Sequence, residues 1–185
     1  MRGSDLAPQL LGCLLLTVVS VGFAAEPDAK ALQAIQRDVQ LLRESVYRPL
    51  TKAEVERALK LLHPEIVKEV GGPLQARANA GSEARGAAQS LFTIEKVEFP
   101  EAPRLVAGTE HEFVLAPVKL TVLRVDGIRD VSEWFYLGGR KKGTTNWVYV
   151  DVPRLATKGA AAFFADFPAG TEFPRTSRKQ IRPDK

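Results

Sequence analysis

Asp151 and Glu133 are carboxylates that could take a proton, and Tyr136 and Tyr149 are phenols that could donate a hydrogen bond to the enolate oxygen such a step leaves behind. Their spacing does not force them together. Asp151, near a strand end, equally suits a turn or a cap, Glu133 a solvated sheet edge, and the tyrosines half-buried sheet positions. Arg124 stands late in an otherwise apolar stretch, where it either reaches solvent or sets a guanidinium at a pocket mouth to hold a carboxylate ligand. Trp134, Phe135, Tyr136, Trp147 and Tyr149 fall on two segments joined by one hairpin, and aromatics with polar tips suit an apolar ligand that needs few hydrogen bonds. The ligand-binding candidates are therefore Arg124, Trp134, Tyr136, Tyr149 and Asp151, with plain core packing as the competing role for each aromatic.

Other chemistries lack their parts. The imidazoles are His63 and His111, and His111-Glu112 is followed by Leu115 where a zinc protease places its second histidine, so no metal site is expected. There is no Gly-x-Ser-x-Gly elbow, and Cys13 is the only cysteine. Gly138-Gly139 lacks the Gly-Lys-Ser/Thr continuation of a phosphate loop, and no cofactor is expected. His63, just ahead of Pro64, reads as a helix-junction residue. Arg140-Lys141-Lys142 suits a soluble hairpin tip, and without a recognition motif no nucleic-acid partner is expected despite the formal charge of +4.

Positioning begins with a leader. Arg2, the apolar run from Leu10 to Val21 and the small residues through Ala24-Ala25 have the order of a secretory signal peptide. The run is 12 residues, against about 20 needed to span a bilayer, so no integral membrane span is expected. Leu10-Leu11-Gly12-Cys13 has the look of a lipoprotein box, but the apolar core lies mostly after Cys13, which favours a plain signal core. The expected organisation is a signal peptide at 1–25, one domain at 26–167 and a Pro-rich basic tail at 168–185, in a protein exported to the periplasm or outside the cell. The processed chain has no cysteine, so its core alone must hold it together.

Within the domain, helices come first. Leu32, Ile35, Val39, Leu42 and Val46 recur at spacings of three and four, which predicts an amphipathic helix over 28–46. Thr51-Lys52-Ala53-Glu54 has the capping-box pattern and opens a second helix, and Pro64 starts a short third that ends at Gly71-Gly72. The Gly-interrupted stretch from Leu74 to Gln89 reads as an imperfect helix or a mobile segment. Strands follow over 91–99, 112–125, 131–138 and 146–152, with turns at Gly108, Asp126-Gly127 and Gly139 to Thr145. Pro117 predicts a bulge or bend. Both alternating sets of the long strand are apolar, Val114, Val118, Leu120 and Val122 against Phe113, Leu115, Leu123 and Val125. One face must take the helices, and the other needs a C-terminal segment or a second subunit. Phe163, Phe164 and Phe167 are expected to dock, and the last ten residues to stay free. The fold class is α+β, with the N-terminal helices packed in the curve of a bent antiparallel sheet.

The helix pair ending in His63-Pro64-Glu65-Ile66-Val67-Lys68-Glu69-Val70-Gly71-Gly72, followed by hairpins finishing in Asn146-Trp147-Val148-Tyr149-Val150-Asp151, resembles the nuclear-transport-factor-2-like cone fold, in particular its secreted and SnoaL-like members. The resemblance covers roughly 28–152 and implies a pocket at the open end of the cone and a homodimer through the sheet face. The functional expectation is an exported, non-catalytic module, a homodimer that binds a small apolar or carboxylate-bearing ligand or a protein. The alternative is a cofactor-free SnoaL-like isomerase or dehydratase using a pocket carboxylate and a tyrosine.

Overall fold

The computed structural model describes residues 29–182, except the side chains at 83 and 84, so the leader at 1–25 lies outside the described residues. Five helices precede the sheet: α1 (Ala29–Glu44), α2 (Lys52–Leu61), α3 (Pro64–Glu69), α4 (Gly72–Ala80) and α5 (Glu83–Gln89). Of the expected stripe, Ile35, Val39 and Leu42 are buried and Leu32 is half-buried, whereas Val46 lies past the end of α1 and is exposed. The capping box at Thr51 forms: the Glu54 N–H donates to Thr51 Oγ1 at 3.3 Å, and the Thr51 N–H donates to Glu54 Oε2 at 2.8 Å. Arg48 also forks onto Glu54, and together these contacts hold that carboxylate at about 2. The Gly-interrupted stretch is helical in two pieces, α4 and α5, parted at Gly81.

The sheet is built on one long antiparallel hairpin, β3 (His111–Arg124) with β4 (Arg129–Lys141), in unbroken register from His111 opposite Lys141 to Leu123 opposite Arg129. Each flank of that hairpin is shared by two shorter strands. β1 (Phe92–Glu98) and β2 (Arg104–Ala107) divide the free side of β3, and β5 (Val148–Asp151) and β6 (Ser177–Ile181) divide the free side of β4. The result is a six-stranded antiparallel sheet, open rather than closed on itself. Pro117 makes no bulge against β4; it falls between Leu115, the last residue paired with β2, and Lys119, the first paired with β1. A proline's missing N–H is tolerated on a flank without a partner strand. The irregularity lies instead on β1, between Ile94 and Lys96.

Both faces of the hairpin are covered. Val114, Ala116, Val118, Tyr136 and Tyr149 pack against Ile35, Val39 and Leu42 of α1 and Ala58 and Leu61 of α2. Phe113, Leu115, Phe135, Leu137 and Val150 pack against Leu155 of α6 (Val152–Lys158) and against Phe163 and Phe164, which follow a 3-10 turn at Ala160–Ala162. The sequence left a C-terminal segment or a second subunit for that face; the C-terminal segment takes it. Its cover extends past residue 167, because Phe173 stacks on Phe135 at 5.4 Å and on Phe167 at 5.7 Å.

The tail is therefore not free as expected. Ser177–Ile181 forms β6, whose five side chains are all exposed, so it docks through backbone pairing and not through an apolar pattern. Arg178 reaches the buried Asp130 at 3.2 Å, and Ser177 donates to Glu133 at 3.0 Å. β2 went unforeseen because it is only four residues long, between Pro103 and Gly108. Among the described residues no helix is long and apolar enough to cross a membrane.

Candidate functional site

Between the helices and the sheet lies a cavity of about 210 Å³. Its apolar walls come from α1 to α4, through residues such as Leu42, Val55, Ala58, Ile66 and Ala76. The α2–α3 junction is tied to β5, where Leu62 bridges to Tyr149 and the His63 N–H donates to the Tyr149 carbonyl at 3.1 Å. Polar groups enter at a few points: Tyr136 from β4, Asp151 at the end of β5, Arg154 from α6, and Arg85 from α5.

Tyr136 and Asp151 are directly opposed in the β4–β5 pairing, so their side chains share the helix-facing side of the sheet. Tyr136 is 5% exposed, and burial pushes its phenol pKa up, opposed by Arg43 and assisted by Asp151, so the hydroxyl keeps its proton. Asp151 Oδ2 accepts a hydrogen bond from Arg154 Nη1 at 2.7 Å. Its Oδ1 is buried and, among the described residues, has no hydrogen-bond partner. Arg154 also pairs with Glu69 at 3.5 Å, and Glu69 with Lys158, so alternating charges run from the cavity wall out along α3 and α6. Asp151 does sit at the cap position of α6, but its side chain makes no cap bond there.

The other sequence candidates stand elsewhere. Tyr149 is fully buried on the same face without lining the cavity, and burial followed by the nearby Asp38 pushes its phenol pKa up. Trp134 lies under the Arg43 guanidinium at 4.9 Å, and Arg43 also donates to Ser132 Oγ at 2.7 Å. Glu133 alternates to the opposite face of β4 from Tyr136 and faces β6. Arg124 is paired with Asp126 at 2.7 Å across the β3–β4 turn and does not line the cavity. Sequence reasoning missed Arg85 and Arg154. The spacing of Asp151 and Arg154, three apart at a helix start, was the available signal for the second of them. Among the described residues no three His, Cys, Asp or Glu side chains gather to hold a metal ion.

His63, at the α2–α3 junction, does not line the cavity and is occupied structurally. Its Nδ1 accepts from the Glu65 N–H at 3.3 Å, capping α3, and its ring meets Phe163 and Phe164 edge-on at 5.4 and 5.0 Å. Burial lowers its pKa below the ordinary 6.5, outweighing a backbone hydrogen bond with Phe163. An unfolded chain then takes up this proton at a higher pH than the folded one. Its contribution to stability is complete above 6.5 and lost as pH falls through the lower folded value. Thermal melts should therefore fall between pH 7.5 and pH 5, and His63→Asn, which can cap but cannot titrate, should flatten that slope. Equal slopes in both proteins would remove His63 as the cause. Asp166 acts in a separate, more acidic window. Its partial burial is outweighed by the N–H groups of His111 and Glu110 and by the His111 ring, which hold it at about 2.

Compared with protein-family models, curated proteins and solved structures, the chain matches none.

Proposed function

We propose that this protein is an exported, non-catalytic binding domain of the cone type, holding one small, mainly apolar molecule between its helices and its sheet. The observation that carries the reading is a cavity of about 210 Å³ with apolar helical walls and few polar entries. An engineered apolar cavity of about 150 Å³ holds benzene, so this space suits a molecule somewhat larger than one ring. Export is supported by the order of charge, apolar run and small residues at 1–25. Cone membership is supported by the element order, helices and then antiparallel hairpins, with the pocket between them. The homodimer suggested by two apolar strand faces loses that support, because residues 155–173 cover the second face.

A second reading, proton-transfer catalysis, is favoured by one arrangement: the unengaged Asp151 Oδ1 beside the protonated Tyr136. Asp151 would take the proton next to a carbonyl and Tyr136 would donate to the enolate oxygen. One set of amide-resolved NMR titrations separates the two. Octanol is expected to shift the amides of Val55, Ala58 and Ile66 saturably. Shifts that are absent, or scattered over the surface, would sink the binding reading. Catalysed exchange of the α-protons of cyclohexanone into D2O, abolished in Asp151→Asn, would put the enzyme reading in its place.

A further inference from the structure

Two arginines line the cavity, and their electrostatic situations differ. Arg154 is neutralised: it lies between Asp151 at 2.7 Å and Glu69 at 3.5 Å, and Lys158 completes a group of two anions and two cations. Arg85 has no carboxylate partner among the described residues. Its one described side-chain bond runs from Nη2 to the Ser45 carbonyl at the end of α1. Among the described residues that bond engages one of the guanidinium fork's five donors. Among the described residues, Arg85 is thus the cavity-lining cation without a carboxylate partner.

Arg85 also stands near an opening. Ser45 and Val46 line the cavity beside it, and Val46 is 52% exposed although it belongs to an apolar wall. A ligand entering there meets a guanidinium first and aliphatic walls further in. The Asp151 oxygens would repel an anion at the other polar point, so only the Arg85 end accepts one.

We infer that the molecule held in the cavity is a small apolar carboxylic acid in its anionic form, seated with its carboxylate on Arg85 and its hydrocarbon part among the helices. This rests on the binding reading above and narrows it to a ligand class. A planar fork matches a carboxylate with two parallel hydrogen bonds, and charge-assisted bonds of that kind are about twice as strong as neutral ones. The competing role for Arg85 is purely structural, as a cap on the α1 carbonyl.

Octanoate and octanol, equal in chain length and different in charge, are the probes. Octanoate is expected to bind about tenfold or more tightly than octanol, to shift the Arg85 Nε–H resonance, and to lose its advantage in Arg85→Gln. That variant should fold, because Gln89 Nε2 still donates to the Ser45 carbonyl at 2.8 Å. Should it not, the affinity ratio and the Arg85 resonance of the unaltered protein still decide the matter. Equal affinities would overturn the carboxylate class and leave the binding reading standing. An octanoate preference that survives Arg85→Gln, or leaves the Arg85 resonance unmoved, would overturn the assignment to Arg85. If neither probe enters the cavity, both readings fall together.

Discussion

Replacing Phe164 with alanine is expected to lower the stability of the folded chain by about 3–5 kcal/mol. The ring is 4% exposed and sits where three elements meet: edge-on to Phe113 of β3 at 5.3 Å, edge-on to His63 at 5.0 Å, and directly over Gly139 of β4. Its removal leaves a cavity that rigid sheet positions cannot collapse to fill, which puts the cost toward the upper part of the range for large-to-small changes. Urea unfolding followed by circular dichroism measures it as a fall in midpoint at constant slope. The same variant should show self-association by light scattering, since Phe113, Leu115 and Leu137 lose part of their cover. A loss below about 1 kcal/mol would mean that the C-terminal segment only rests on the sheet.

That dependence explains what could and could not be read from sequence. The α1 stripe, the Thr51 capping box and the two apolar faces of β3 are local patterns, each set by a few neighbouring residues, and each is found in the fold, the stripe without its last member Val46. What covers the second face is a long-range choice, and the apolar alternation of β3 states only that something must. β6 is invisible to any apolar pattern because Ser177–Ile181 buries no side chain and is held by ladder bonds and by Arg178 on Asp130. The site divides in the same way. Tyr136 and Asp151 were nameable as residue types, but only the β4–β5 register sets them opposite one another, and a slip of one residue would have sent Asp151 to the far face. Arg85 was hidden because its segment is rich in Ala, Arg and Gln with no periodic face, and its place beside Ser45 depends on α5 folding back onto the end of α1.

The sequence reading ends this strand at Gly138 and begins a turn at Gly139, yet β4 continues through both to Lys141. Neither glycine has a positive φ, so backbone conformation alone would admit alanine at both. Space does not. A Cβ on Gly138 would come within 2.6 Å of Val114 Cγ1 and 2.8 Å of the Tyr149 ring on the helix-facing side. On the other side a Cβ on Gly139 would overlap the Phe164 ring. The pair thins the sheet where an aromatic presses on each face, and β4 at this point also carries Tyr136 into the cavity.

Gly139→Ala is accordingly expected to cost about 1–3 kcal/mol, the range for forcing an extra carbon into a packed core. The mechanism makes a sharper demand than the size of the effect. The three atoms nearest the added methyl all belong to the Phe164 ring, so in a Phe164→Ala background the methyl enters vacated space and its cost should vanish or change sign. The double-mutant cycle should therefore be non-additive by about 1–3 kcal/mol, well beyond the few tenths seen for independent sites. Additive losses would place the strain in the strand backbone and not against the ring. They would also separate Gly139 from the docking of the C-terminal segment, leaving Phe164 to be held by Phe113 and His63 alone.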